Sequence, residues 1–317
     1  MVPEPSLRGG VVLRIASRGS PLALLQAGLV ADALASAHHG LRTEVVVVST
    51  AGDELADVPL GQIGGQGIFA KEIQRCVLDG GADLAVHSAK DLPPRPVRGL
   101  SIAAVPTRAD PRDALVGSSL YALAPGARIA TGSARRRAQL ASLRPDLTFV
   151  DLRGNVGRRV ARADEGDVAA VVVAMAALDR LALSDRPVDA LSPSVMLPQI
   201  GQGALAVECR SEDAATAALL VPIDDAASHA ALLAERALLE ALGASCSVPV
   251  AGWARPEGGR LRLDGMLASA DGRVVLRTGA TGEDPGRLGE AVAARLLDDF
   301  GGSALDGWDP AGALGAR

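Results

Sequence analysis

The chain has 317 residues, a net charge of −5 and 48% apolar residues. This length suits two or three domains of about 100–150 residues each, and the composition is globular, neither collagen-like nor disordered. The acidic balance and the six aromatic residues argue against a broad nucleic-acid surface and against a base-stacking platform.

Cysteine usage and hydropathy exclude further classes. The three cysteines, Cys76, Cys209 and Cys246, lie far apart with no nearby histidine pair, which fits neither a disulfide framework nor a zinc cage. The longest uncharged apolar run, residues 168–178, has 11 residues, whereas a membrane span needs about 20. The N-terminal residues lack the apolar segment of a secretory signal. We therefore expect a cytoplasmic protein with no membrane or nucleic-acid partner.

Short apolar runs alternate with helical patterns along the first half of the chain. Ser20 and Pro21 predict the start of a helix that runs to about residue 36. Residues 50–67 form a long, Gly-rich, polar stretch typical of a lid, before a helix that starts near Phe69. The predicted strands of this first unit are residues 11–15, 43–49, 83–87 and 100–105.

A second unit begins near Pro106 and a third near residue 225. In the second, helices from Ala134 and Val156 alternate with strands at 128–131, 148–151 and 168–174, and a further strand covers 205–209. This alternation predicts an α/β fold with mainly parallel sheets. The third unit has an α+β pattern: a helix at 225–242, strands at 248–254, 260–267 and 273–278, and a last helix at 285–300.

Two glycine motifs fit a loose dinucleotide fingerprint, Gly65-x-Gly67-x-x-Ala70 and Gly201-x-Gly203-x-x-Ala206. Neither follows a strand and opens a helix, as a dinucleotide site requires. We interpret the first as part of the lid and the second as a hinge.

Arginines at helix starts are the sharpest chemical signal. Ser133 and Asn155 are predicted N-caps, and arginines 135–137, 158 and 159 follow them in the first turns. Cations there oppose the helix dipole at a cost of roughly 0.3–1 kcal/mol each, whereas a bound anion reverses the sign. Arg18 and Arg153 repeat the pattern, so we expect a ligand with several carboxylates at the carboxyl ends of the strands. The alternative is an exposed basic face on an arginine-rich chain.

Two more residues are candidates for chemistry. Asp91 ends the run AVHSAKD and is a candidate general acid or base, or a stabiliser of positive charge; the alternative is a salt-bridged or capping aspartate. Cys246 lies in a turn of small residues, where a thiol is accessible, whereas Cys76 and Cys209 fit core positions. His87 is predicted to be a hydrogen-bonded core histidine.

Eight segments together carry a family resemblance. In chain order they are IASRGSPLALLQA, GGQGIFAKEI, DLAVHSAKDLP, DPRDAL, TGSARRRAQL, DLRGNVGRR, LPQIGQGALAVECR and ASCSVPV. The chain resembles the porphobilinogen deaminases (hydroxymethylbilane synthases) of the tetrapyrrole pathway. The resemblance implies a transferase that condenses four porphobilinogens head to tail with loss of ammonia. It also implies a covalent dipyrromethane primer, whose acetates and propionates fit the expected anionic ligand.

The resemblance implies a role for each matched residue. It attaches the dipyrromethane to Cys246 through a thioether, and it assigns to Asp91 the stabilisation of the cationic azafulvene that forms as ammonia departs. The implied cofactor-binding residues are Lys90, Thr131, Ser133, Arg135, Arg136 and Arg153. The implied substrate-binding residues are Arg18, Ser20, Gln26, Asn155, Arg159 and Gln202.

The resemblance also implies a fold of two type II periplasmic-binding-protein-like α/β domains, joined by crossovers, plus a small α+β C-terminal domain with the cysteine. The expected domains are residues 1–105 with 203–221, residues 106–202 and residues 222–317, in a monomer. The chain departs from the family at the Ala244-Ser245-Cys246-Ser247 turn and in a lid that lacks basic residues. A non-catalytic anion-binding module of the same two-domain architecture is the competing class, and the presence of both Asp91 and Cys246 counts against it.

Overall fold

The computed structural model describes residues 12–50, 67, 70–183, 185–243 and 249–305. Nearly all of the predicted lid, and Cys246 with its turn, lie outside the described residues. The helices and strands, in chain order, are β1 (Val12–Arg18), α1 (Pro21–Ala37), β2 (Arg42–Val48), α2 (Lys71–Leu78), β3 (Leu84–Ser88), β4 (Leu100–Ala104), β5 (Asp113–Val116), β6 (Arg128–Ala130), α3 (Ala134–Leu143), β7 (Thr148–Val150), α4 (Val156–Ala161), β8 (Ala170–Ala174), α5 (Met175–Arg180), β9 (Val188–Ala190), β10 (Leu205–Arg210), α6 (Ala214–Leu220), α7 (Ala226–Leu242), β11 (Val250–Glu257), β12 (Arg260–Ala268), β13 (Val275–Gly282) and α8 (Pro285–Ala294).

The described strands form three sheets. The first has the order β2-β1-β3-β10-β4, the second β7-β6-β8-β5-β9, and the third is the meander β11-β12-β13. In the first sheet β1 is parallel to β2 and β3, but β10 is antiparallel to β3 and β4. In the second, β5 is antiparallel to both of its neighbours. Four strands of each large sheet therefore run in one direction, as the prediction of mainly parallel sheets expects, and one strand, β10 or β5, runs against them.

Helix α1 illustrates how the sequence folds locally. Ser20 caps it by accepting a hydrogen bond from the Ala23 amide at 3.3 Å, and Pro21 occupies its first position. Ala27, Val30 and Leu34 recur every three or four residues and pack on the first sheet, so the helix buries one apolar stripe. The prediction from Ser20 and Pro21 is confirmed.

The predicted strand at 168–174 is confirmed, and the rest of the apolar run at 168–178 is helical. Ala170–Ala174 forms β8, and the chain then turns directly into helix α5. A continuous apolar run has no polar residue to mark that change, and periodicity cannot distinguish a buried strand from a buried helix. Sequence reasoning missed strands β5 and β9, which have four and three residues.

The third sheet packs against two helices. Helices α7 and α8 cover one face of the meander through a core that includes Leu238, Leu263, Leu267 and Val292. This is the predicted α+β unit of a long helix, three strands and a last helix. The last helix ends earlier than predicted as an α-helix, because residues 295–299 form a π-helical turn.

Two crossovers join the large sheets, the first at residues 105–112 between β4 and β5 and the second at residues 191–204 between β9 and β10. Both meet the third unit at one buried carboxylate. Glu235 of α7 is fully buried and accepts hydrogen bonds from the Gly201 and Ala254 amides at 2.7 and 2.8 Å. Arg108, in the first crossover, donates to the same carboxylate and to the Gln202 carbonyl. Elements from all three units therefore converge on Glu235.

The Gly201-x-Gly203 motif lies in the second crossover. Both glycines have positive φ angles, +72° and +87°, which other residues adopt only at a cost. A Cβ on Gly201 would lie 2.8 Å from the Ala89 carbonyl carbon. These glycines serve a tight connection between sheets, and the hinge interpretation stays a prediction.

The described residues thus form an α/β fold with two mixed sheets, two crossovers and an α+β unit, as the sequence predicts. The residue limits of the three domains stay a prediction. No described helix alone is long and apolar enough to cross a membrane; Ala214–Ile223 and Ala226–Leu242 pass that test only as a pair, which is bent by 112°.

Candidate active site

The predicted site residues lie where strands end. Arg18 ends β1 and Ser88 ends β3, and these two strands are parallel, so both residues lie at the same edge of the first sheet. Thr131 follows β6 and Arg153 follows the parallel strand β7 at the corresponding edge of the second sheet. Ligands bind at such carboxyl edges in open α/β sheets.

A small cavity of about 60 Å³ lies at the edge of the first sheet. Its lining includes five residues of interest, Arg18, Ser20, Gln26, Ser88 and Asp91. The Ser88 hydroxyl donates to the Gln26 side-chain oxygen at 3.0 Å, which orients the amide of this buried residue. The structure therefore brings four predicted site residues of the first unit together: Arg18, Ser20, Gln26 and Asp91.

Asp91 ends a short 3-10 turn, Ala89–Asp91, directly after β3. Among the described residues, its carboxylate has no hydrogen-bond or ion-pair partner, and it caps no helix. The alternative of a salt-bridged or capping aspartate is therefore not what the described structure contains. The carboxylate is available to a molecule in the cavity.

Lys90 and two arginines form a group of cations next to Asp91. Burial lowers the pKa of Lys90 to about 8; Asp91 acts in the opposite direction, and Arg136 and Arg159 lower it further. Burial and Arg136 likewise lower the pKa of Arg159, while Asp91 raises it. The Lys90 ammonium has no hydrogen-bond partner among the described residues, and Asp91 and Asp113 are the anions that oppose the three cations, so positive charge is in excess here.

A buried ion cluster lies at the start of α3. Asp113 is fully buried, and its carboxylate lies 2.8 Å from Arg135 Nη1 and 2.7 Å from Arg136 Nη2. Burial raises the pKa of Asp113, but Arg135 and Arg136 together outweigh this and hold it well below its usual range. Gln202 Nε2 donates to the same carboxylate at 2.9 Å. The first turn of α3 is thus tied to the crossover.

The two arginines of this cluster differ in how fully they are paired. Arg136 also donates from Nη1 to the Val172 carbonyl at 2.7 Å, whereas Arg135 leaves Nε and Nη2 buried with no partner in the described structure. Two guanidiniums share one carboxylate, so the cluster keeps an excess positive charge. Unpaired buried donors are costly, and an anionic ligand would satisfy them.

The smaller polar residues of the predicted set serve as caps. Ser133 accepts from the Arg136 amide at 3.4 Å, Asn155 accepts from the Arg158 amide at 3.0 Å, and Thr131 Oγ1 accepts from the Ser133 amide at 3.2 Å. Their side-chain oxygens support the two helix starts. Gln202 is fully buried and directs its amide at Asp113 and two backbone carbonyls.

Two arginines at the same helix starts, Arg137 and Arg158, fit the alternative interpretation of an exposed basic face. Arg137 forms a surface ion pair with Asp151 at 3.1 Å, and Arg158 is exposed. In the second unit, the anion interpretation therefore concerns Arg135, Arg136, Arg153 and Arg159, and in the first unit it concerns Arg18 at the cavity. His87 is buried with Nε2 3.2 Å from Glu208 Oε2, which confirms the core-histidine prediction.

Sequence reasoning missed Asp113 and Glu235. Asp113 lies in the segment DPRDAL, directly before the apolar run of β5, and a carboxylate at the start of a buried strand was the available signal. No comparable signal marks Glu235 on α7. The three cysteines differ in burial: Cys209 is buried, Cys76 is partly buried, and Cys246 lies outside the described residues.

Comparison with known proteins identifies the family. The family described as "Porphobilinogen deaminase, dipyromethane cofactor binding domain" matches residues 13–218, and "Porphobilinogen deaminase, C-terminal domain" matches residues 229–298. The chain belongs to the porphobilinogen deaminase family. The porphobilinogen deaminase of Roseiflexus castenholzii is 47% identical over 92% of this chain and 98% of its own length. That of Stenotrophomonas maltophilia K279a is 50% identical over 93% and 99%.

Among solved structures, an ancestral cationic amino acid solute binding protein aligns with a TM-score of 0.41 at 14% identity, over 67% of this chain and 86% of that one. A score this low carries no argument. The strand order of the two large sheets and the two crossovers between them agree with the two α/β domains that the resemblance implied.

As a member of the porphobilinogen deaminase family, the chain is a transferase that condenses four porphobilinogens to hydroxymethylbilane with release of ammonia. Its family domain binds a dipyrromethane cofactor. The residues present fit that group, since a dipyrromethane with acetate and propionate side chains needs buried cationic donors. The unpaired Nε and Nη2 of Arg135 are such donors. Membership of an enzyme family counts against the non-catalytic binding module.

Proposed function

We propose that Asp91 is the catalytic residue of this member of the porphobilinogen deaminase family. One observation carries the proposal: its carboxylate borders the cavity, is unpaired among the described residues, and stands beside Lys90 and Arg159. Loss of ammonia from porphobilinogen leaves a cationic azafulvene. A fixed carboxylate beside it stabilises that charge as it develops, which lowers the barrier. Asp91 also accepts hydrogen bonds from pyrrole N–H groups.

The surrounding cations bind the carboxylates of substrate and cofactor. Arg18, Ser20 and Gln26 at the first sheet, with Arg159, Asn155 and Gln202 from the second unit and the hinge, form the substrate side. Guanidinium forks pair with carboxylates through charge-assisted hydrogen bonds, each worth about 1.5–3 kcal/mol. Acetate and propionate groups held in this way fix the position of the reacting aminomethyl group against Asp91.

The cofactor side combines a covalent anchor with cationic contacts. Cys246 would hold the dipyrromethane through a thioether at Sγ, and the bound group would supply the pyrrole for the first condensation. Arg135 contributes its unpaired Nε and Nη2 to a cofactor carboxylate. Lys90, Thr131, Ser133, Arg136 and Arg153 complete this side. Arg136 acts chiefly through its charge, since Asp113 and the Val172 carbonyl occupy most of its donors.

The proposal includes three domains with the predicted limits, 1–105 with 203–221, 106–202, and 222–317, the last carrying Cys246. It also includes a cytoplasmic monomer without membrane or nucleic-acid partner. The acidic net charge of −5 supports the absence of a nucleic-acid partner.

Arg159 and Arg158 offer a matched test of the cation cleft. They are neighbours on α4, but Arg159 is half-buried beside Lys90 and Asp91, whereas Arg158 is exposed. We expect Arg159→Gln to lower kcat/KM for porphobilinogen about tenfold or more, because one charge-assisted contact is lost. Arg158→Gln should stay within about twofold of the wild type, as exposed charges contribute little.

Steady-state turnover of porphobilinogen measures both variants, and circular dichroism establishes that each is folded. Equal effects of the two substitutions would show that the cations act as a general basic surface, and the assignment of Arg159 to the substrate site would be wrong.

A further inference from the structure

A second cavity lies on the C-terminal sheet, outside the residues assigned above. It has a volume of about 490 Å³, which is within the range of small-molecule sites. Strands β11, β12 and β13 form its floor, and residues 192–197 of the second crossover form a wall. None of the described residues that line it belongs to the proposed catalytic, cofactor or substrate set.

The sheet leaves half of one face open. Its other face packs on α7 and α8, and successive residues of a strand point to opposite faces. Ala251, Met266 and Ala268, at one end of the exposed face, pack against Ala138 of α3 and Leu197. The opposite end of that face carries polar and aromatic residues instead, and these line the cavity: Trp253, Arg255, Arg262, Asp264 and Arg277.

The cavity has an excess of positive charge. Among its described lining residues, three carry guanidiniums and one carries a carboxylate. Asp264 accepts from Arg255 Nη1 at 2.7 Å and from Arg262 Nε at 2.8 Å, which fixes both guanidiniums in place. The Arg255 guanidinium also stacks over the Trp253 ring at 4.2 Å. Asp264 orients two of the three arginines, and Glu257 Oε1, outside the lining, lies 3.9 Å from Arg255 Nη2, so three guanidiniums face two carboxylates and one positive charge is in excess.

Two further residues keep the cavity open and its walls together. Arg277 Nη2 donates to Gln139 Oε1 of α3 at 2.7 Å and to the Val195 carbonyl at 3.0 Å, so it ties the floor to the wall. Gly279 lies opposite Asp264 in the neighbouring strand, and a Cβ there would collide with the Asp264 carboxylate and with Arg262. The absence of a side chain at position 279 leaves room for the charged pair.

We propose that this cavity binds a small molecule with at least two separated carboxylates. The three arginines come from three adjacent strands, about 4.8 Å apart from one strand to the next, so their charges are spread across the floor. A compact phosphate would reach only part of this array and would fill little of the volume. A polycarboxylate pairs with several guanidiniums at once, through charge-assisted hydrogen bonds.

Trp253 provides a local readout of binding. The chain has two tryptophans, Trp253 and Trp308, so the full-length holoenzyme with Trp308→Phe reports on the cavity alone. Citrate is the probe, and we expect a saturable change in Trp253 emission with a dissociation constant in the low millimolar range or below. In this background Arg262→Gln should weaken citrate binding about tenfold or more, the cost of one charge-assisted contact.

Arg260→Gln is the matched control. Arg260 lies on the same strand and face, it is exposed, and it does not line the cavity. The Arg260→Gln substitution removes the same charge as Arg262→Gln, and its citrate affinity should stay within about twofold of the Trp308→Phe parent. Arg255→Gln is a second cavity variant should Arg262→Gln fail to fold, which circular dichroism and porphobilinogen turnover establish.

Three results would overturn the proposal. Without a saturable change of Trp253 emission there is no site for this class of molecule. An equal loss for the Arg260→Gln and Arg262→Gln variants would mean general charge attraction. Inorganic phosphate that binds as tightly as citrate would mean a compact anion site. Turnover of porphobilinogen by the parent enzyme is measured separately, so failure here leaves the assignment of the active site unaffected.

Discussion

Asp91→Asn should reduce turnover of porphobilinogen by about 10²–10³-fold, because it removes the charge that stabilises the developing azafulvene cation. Asparagine keeps the size and much of the hydrogen-bonding capacity of aspartate, so substrate binding should largely persist. The loss should therefore appear in kcat more than in KM. Asp91→Glu keeps the charge but moves it by one methylene, and we expect partial activity from it.

Steady-state kinetics of the two variants, with folding checked by circular dichroism, measures this effect. Asp79→Asn, at an exposed position just after α2, is the control for loss of a carboxylate elsewhere in the same unit. A folded Asp91→Asn enzyme that works within about threefold of the wild type, well short of the loss expected from that charge, would make Asp91 a structural residue.

Asp113→Asn should destabilise the folded protein by about 3–5 kcal/mol, since it leaves two buried guanidiniums without their shared counter-charge. The matched control is Asp110→Asn, which removes a carboxylate three residues away. Asp110 pairs with Arg112 where both side chains reach solvent, and its loss should cost about 1 kcal/mol or less. Urea unfolding of both variants gives the two free energies, and equal values would contradict the buried cluster.

Acid dependence gives a second readout for Asp113. Its pKa in the folded protein lies below the ordinary value of 3.8, so the stability it contributes is fully present above that value. This contribution is lost as the pH falls below about 3.8 toward the folded pKa. The Asp113→Asn variant should therefore lose less stability than the wild type over that acidic range.

The sequence predicted helix starts better than it predicted sheet topology. Ser20, Ser133 and Asn155 mark real N-caps, because capping depends on residues within one turn. The antiparallel direction of β5 and β10 depends on where the crossovers enter each sheet, and no local pattern encodes it. Likewise, nothing in the apolar run at 168–178 marks the change from β8 to α5.

The candidate site likewise has features that the local sequence predicted and features that only tertiary packing decides. Arginines at helix starts correctly indicated unusual electrostatics, since they oppose the helix dipole. That pattern did not separate Arg159 in the cleft from the exposed Arg158, because a difference of one residue on a short helix is decided by tertiary packing. The partner of Arg135 and Arg136, Asp113, is distant from them in sequence, and only the fold brings the three together.

The intact mass of the purified protein tests the central claim most directly. We predict that the wild type carries the added mass of two linked pyrroles and that Cys246→Ser is folded but carries none, because a hydroxyl is a far poorer nucleophile than a thiolate near neutral pH. Peptide mapping should place the adduct on Cys246. An unmodified and active wild type, or an adduct on Cys76 or Cys209, would contradict the account.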